Sequence, residues 1–221
     1  MNRRDFVVCG TAAAAAIGVA AYAAAEVSKG ATVRGVHGPL PYKVIFDTRF
    51  QASRSFGTGA AQLGCAIQPI TGDVTALWFK ELQPLWTQRK EAIVGMTTRA
   101  SLLCLEQLAW EQWMRVVARV EHRSEPDGTV RHRLFLHGNT LQEARAALAG
   151  NADWAERMVA PLVSRIGAEH CGRPGESVVL TRHLSRDDPR IPLVSWVIAA
   201  RSSGDAPIRV GRTYRTEVAL T

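Results

Sequence analysis

The sequence predicts an α/β fold: a mainly parallel sheet flanked by helices, extended by an antiparallel hairpin and a mixed C-terminal tail. Short apolar runs at 42–46, 65–70 and 92–96 are each followed by a segment of helical character. Strands that alternate with helices need crossover connections, and right-handed crossovers lay successive strands side by side in parallel. Past residue 115 the pattern changes to strand, turn, strand, with Pro126-Asp127-Gly128 at the turn, which marks antiparallel pairing. Hydrophobic residues make up 47% of the 221-residue chain and charged residues 21%, a globular composition that excludes wholesale disorder.

Residues 26–41 read as a linker, because Gly30, Gly35, Gly38, Pro39 and Pro41 interrupt them and no apolar period runs through. A single domain over 42–221 follows. The run Tyr-Lys-Val-Ile-Phe at 42–46 has the branched and aromatic content of a buried strand. Residues 51–63 suit a helix weakened by Gly57 and Gly59, and Gly64 stops it. Residues 65–70 form the second short strand. Asp73 is placed to cap a helix over 74–88, where Leu77, Trp78, Leu82, Leu85 and Trp86 share one face and Pro84 imposes a kink or an early end.

After the third strand at 92–96, Thr97 or Thr98 caps a helix over 99–113, with Leu102, Leu103, Leu105, Glu106, Leu108, Ala109 and Trp113 on a broad apolar face. Residues 115–136 read as a hairpin decorated by Arg115, Arg119, Arg131 and Arg133, which suits a solvated edge. Thr140 and Glu143 have capping-box spacing for a helix through Leu148, and a second helix runs to about Ile166. Residues 170–175 are loop, 177–181 and 193–199 are strands, 202–207 turn, and 212–220 form a last, alternating strand. The tail reads as antiparallel.

The net charge of +7 is carried mainly by arginine, since the lysines are only those at 29, 43, 80 and 90. Such a surface can attract anionic partners, but a plain solvated basic surface is the favoured reading. Cysteines 65, 104 and 171 lie beyond the leader and include no Cys-x-x-Cys. Cys65 opens a strand and Cys104 sits inside a helix, so both read as small buried apolar residues, and a disulfide essential to folding is not expected.

The first 25 residues read as an address. Arg3 and Arg4 are followed by Asp5, Phe6, Val7 and Val8, then by an alanine- and glycine-rich run over 9–21 and a small-x-small site in Ala21-Tyr22-Ala23-Ala24-Ala25. The run Asn2-Arg3-Arg4-Asp5-Phe6-Val7 resembles the twin-arginine (Tat) export signal. That resemblance covers the leader alone. It implies a bacterial protein that folds in the cytoplasm, meets the Tat translocase and crosses the inner membrane already folded. The implied location is the periplasm, which argues against a nucleic-acid role. The run over 9–21 is shorter than the ~20 residues that span a bilayer, so no permanent membrane anchor is expected. An ordinary Sec signal is the competing reading.

In a parallel α/β sheet, ligands bind beyond the carboxyl ends of the strands. Asp47 and Arg49 follow the first strand, Arg54 lies close by, Thr71 and Asp73 follow the second, and Thr98 follows the third. These six are the candidate ligand-binding residues, with helix N-termini directed at the same crevice. The competing reading makes Asp73 and Thr98 plain helix caps and Asp47 with Arg49 a local ion pair. Gly57-x-Gly59 with Gly64 departs from the dinucleotide spacing, so no cofactor is expected. His122 is placed to face His132 across the hairpin, but a metal needs a third ligand; solvated rings are the expectation and no metal site is predicted. His170-Cys171 has no third member nearby in sequence. The six tryptophans read as core, with Trp110 and Trp113 open to a role in a partner surface.

Three functional readings follow. The first is an exported, non-catalytic accessory or binding partner of a periplasmic enzyme, with redox enzymes the class that the leader implies. The second is a small-ligand-binding module using the strand-end crevice. The third is a hydrolase with Asp47 or Asp73 as base.

Overall fold

A computed structural model describes residues 39–149, 153–167, 175–182, 187 and 190–200. The leader, nearly all of the linker, Cys171, His170, and the turn and strand expected at 202–207 and 212–220 lie outside the described residues. The strands are β1 (Lys43–Asp47), β2 (Ile67–Ile70), β3 (Ile93–Thr98), β4 (Met114–Ser124), β5 (Thr129–Leu136), β6 (Gly175–Arg182) and β7 (Leu193–Ala200). They form one sheet in the order β2-β1-β3-β7-β4-β5-β6.

The fold is α/β, but the sheet is mixed and mostly antiparallel. β1 pairs in parallel with β2 and with β3, as the strand–helix alternation requires. The other pairings, β3 with β7, β7 with β4, β4 with β5 and β5 with β6, are antiparallel. The expected mainly parallel sheet fails at one point: β4 does not lie beside β3. The C-terminal strand β7 enters between them, so the crossover from β3 to β4 spans a gap that a strand about eighty residues later fills. Every described residue of β7 from Leu193 to Ile198 is buried, the two-sided burial of a central strand.

Helices cover both faces. Val44, Val94, Met96, Val120, Leu134 and Val197 point toward α1 (Gln51–Gln62), α5 (Gly138–Leu148), α6 (Trp154–Arg157) and α7 (Val159–Ser164), where Phe56, Trp154, Met158 and Leu162 complete one core layer. Ile45, Ile93, Val116, Trp196 and Ile198 point the other way. There they meet α2 (Thr75–Leu77), a π-helical turn (Trp78–Leu82), α3 (Gln83–Gln88) and α4 (Arg99–Glu111). The alternation of Val44 and Ile45 between the layers is the two-residue period of a strand buried on both sides. The π turn answers Pro84, which lacks the N–H that a regular helix would direct at the preceding turn.

Three local expectations change. α5 begins at Gly138 with His137 as N-cap; Thr140 is a buried helical residue, and Glu143 accepts a hydrogen bond from Ser164 of α7 at 2.7 Å rather than closing a capping box. α4 ends at Glu111, and Trp113 turns into the left-handed region at φ 60 with 76% of its surface exposed, so it is not core. Cys104 is exposed, whereas Cys65 is buried and its thiol is pushed up to about 11 by desolvation. Among the described residues, no helix is long and apolar enough to cross a membrane.

Candidate functional site

The carboxyl ends of β1, β2 and β3 lie side by side, so the fold brings the predicted residues to one rim. Asp47, the last residue of β1, is fully buried. Its carboxylate accepts hydrogen bonds from Arg49 Nε at 2.9 Å, Arg49 Nη2 at 2.7 Å and the Arg49 backbone N–H at 3.2 Å. The Asp47 carboxylate raises the Arg49 pKa, chiefly through these side-chain hydrogen bonds. The Asp47 N–H donates to Ser53 Oγ at 2.7 Å, and that hydroxyl donates to the Met96 carbonyl at 2.5 Å. One serine of α1 thus ties the end of β1 to β3.

Arg49 also lies against the turn after β2. A Cβ on Gly72, whose φ is +91, would lie 2.2 Å from Arg49 Nη2, so the guanidinium rests where only glycine leaves room. The Gly72 carbonyl accepts from Ser101 Oγ at 2.8 Å, and Ser101 Oγ lies 3.0 Å from Thr98 Oγ1. Thr98 caps α4 as expected, accepting from the Ser101 N–H at 3.3 Å. Asp73 accepts from the Thr75 N–H at 2.8 Å, and hydrogen bonds from Thr75 lower its pKa. Arg54 donates to the Thr48 carbonyl.

The six residues do not converge on one crevice. Two open depressions flank the end of β1. The first, about 480 Å³, is lined by Arg49, Gln51, Arg54, Ser55, Thr58 and Asp187. The second, about 550 Å³, lies toward the β2 edge and includes Thr48, Thr71, Asp73, Lys80 and Glu81. Asp47 is fully buried and lines neither of them, and Thr98 serves as a cap. As general bases, neither acid is well placed: the Asp47 carboxylate is taken up by Arg49, and Asp73 is exposed with a lowered pKa.

Of the first depression's lining only Arg49 and Arg54 were candidates from sequence, and Asp187 is the most consequential of the others. Asp187 reaches α1 from more than 130 positions away and accepts from the N–H of Gln51 at 2.6 Å and of Ala52 at 2.9 Å. These are first-turn donors with no partner inside the helix. The absence of a capping side chain at Phe50, the N-cap, is the sequence signal that the helix needs an acceptor from elsewhere.

The histidines of the hairpin are the second correction. His122 and His132 are buried, not solvated. Their Nδ1 atoms lie 2.7 Å apart, His122 Nε2 lies 2.9 Å from Ser195 Oγ, and His132 Nε2 lies 2.8 Å from Thr181 Oγ1. Each neutral ring carries one N–H. With both rings neutral, the chain of bonds runs in one direction, from Thr181 to Ser195 or the reverse. Trp154 packs on both rings at 4.6 Å. Among the described residues, no group of three His, Cys, Asp or Glu is placed to hold a metal.

Comparison of the chain with family models, with curated proteins and with solved structures finds no match in any of the three.

Proposed function

We propose that this chain is an exported protein that binds a small anion, a carboxylate or phosphate, at the start of α1. The observation that carries the reading is Asp187: the chain's own carboxylate sits on the Gln51 and Ala52 N–H groups, in a depression that Arg49 and Arg54 also line. Backbone donors at a helix N-terminus, reinforced by its dipole, favour negative charge. Each guanidinium has five N–H donors, so Arg49 and Arg54 keep donors to spare beyond their bonds to Asp47 and Thr48. A ligand anion replaces the Asp187 carboxylate and adds contacts to both arginines. Asp187 then acts as a tethered competitor that holds the site closed when no ligand is present.

Export rests on Arg3, Arg4 and Phe6 and sets the ligand pool as periplasmic. The accessory reading rests on the same leader and has a different readout: a second polypeptide co-purifying with the exported protein. The ligand reading is tested by following the Gln51 and Ala52 amide resonances of labelled protein during titration with inorganic phosphate and with succinate, against chloride. Saturable shifts at these two amides that vanish in Arg54→Ala support it. Amides that stay still with both anions refute it.

A further inference from the structure

Edge strands expose unpaired N–H and C=O groups, and natural sheets blunt them by shortness, proline or lysine. The two edges of this sheet differ in that respect. β2 has four residues and contains Pro69. β6 has eight residues with neither proline nor lysine, and among the described residues nothing pairs with its outer side. Its inner-layer positions, Ser177, Val179 and Thr181, pair with Leu134, His132 and Val130 of β5. On the opposite face, Val178 and Leu180 are 53% and 60% exposed beside Arg133 and Arg131.

The strand is complementary to itself. In an antiparallel register centred on Val179, Glu176 stands opposite Arg182, Ser177 opposite Thr181, Val178 opposite Leu180, and Val179 opposite its own equivalent. Sliding that register by two residues sets Glu176 against Leu180, or Arg182 against Val178, a charge on an apolar residue either way.

We propose that two copies of this chain pair through β6, antiparallel about a two-fold axis at Val179, so that one sheet runs through both. Cross-strand apolar and opposite-charge pairs are the contacts that fix such a register. Val178 and Leu180 from each copy form one apolar patch across the seam. The interface is isologous, as a two-fold requires.

The test is the mass of the full chain in solution by light scattering over a concentration series. A dimer is expected, with Leu180→Lys shifting it to monomer. Glu176→Arg and Arg182→Glu should each weaken it, and the two together in one chain should restore it, because opposite charges again face each other. That recovery separates the interface from a folding defect and from loss of the Arg133–Glu176 pair within one chain. A monomer at every concentration overturns the proposal. So does a dimer indifferent to Leu180→Lys, or a double variant no better than the singles. A monomer whose β6 cross-links to residues 212–220 of the same chain gives the edge to the C-terminal segment and also overturns it.

Discussion

The Asp47 carboxylate and the Arg49 guanidinium, two residues apart, meet through paired hydrogen bonds of 2.9 and 2.7 Å at the end of β1. The pairing fixes a half-exposed arginine on the rim of the depression proposed to take an anion and holds its charge there. Long side chains lose rotamer freedom when they bind; this one is already positioned, which lowers the cost of capture in the proposed site.

Ser53 connects that pair to the sheet. Ser53→Ala leaves the buried Asp47 N–H and the Met96 carbonyl without this partner, and the expected loss of stability is about 1–3 kcal/mol. Urea unfolding measures it. A loss under about 0.5 kcal/mol, the range of neutral surface changes, would show that the link is dispensable.

Gly95 lies opposite Trp196 in the register of β3 and β7. A Cβ there would meet Trp196 Cζ2 at 2.5 Å and the Ile45 carbonyl at 2.7 Å. The backbone atom cannot move aside as a flexible side chain does. Gly95→Ala should therefore destabilise by about 1–3 kcal/mol through overpacking, and the Trp196 fluorescence should change in the folded state.

Burial, then the neighbouring His132, hold the His122 pKa well below 6.5. The folded protein keeps this ring neutral while the unfolded chain binds a proton below about pH 6.5. The unfolded state then carries more protons, so stability falls as pH drops from about 6.5 toward the folded pKa. The contribution reaches about 1.4 kcal/mol per pH unit at most and vanishes above about pH 7.5. Urea midpoints measured at several pH values for the wild type and for His122→Gln check this: the acid-side slope should flatten in the variant, and an unchanged slope assigns it to other groups.

Replacing Arg3 and Arg4 together by lysine should leave the protein in the cytoplasm when its location is followed by cell fractionation. Unchanged secretion would remove the twin-arginine reading.

Local pattern carried the first half of the fold. The strands at 43–47 and 93–98 and the cap at Thr98 follow from apolar runs and helix-start signals within a few residues of one another. The position of β7 was hidden because strand order is a matter of contacts distant in sequence. Even so, the run from Leu193 to Ile198, apolar except for Ser195, carries the signature of a strand buried on both faces. At the candidate site, Asp47 and Arg49 were legible from their place at a strand end. Asp187 was not, since an aspartate next to Asp188 in a loop shows no sign of which helix it caps. His122 and His132 stood opposite each other as expected; their burial depends on Trp154 and α6, which arrive more than twenty residues later.

The anion site is tested most directly by calorimetric titration of inorganic phosphate and succinate into the wild type and Asp187→Asn. Removing the competing charge should tighten binding of at least one anion by about tenfold, ~1.4 kcal/mol, with Arg54→Ala in the same background abolishing the gain. Binding that is absent from both proteins, or equal in both, would contradict the claim that Asp187 occupies a ligand site.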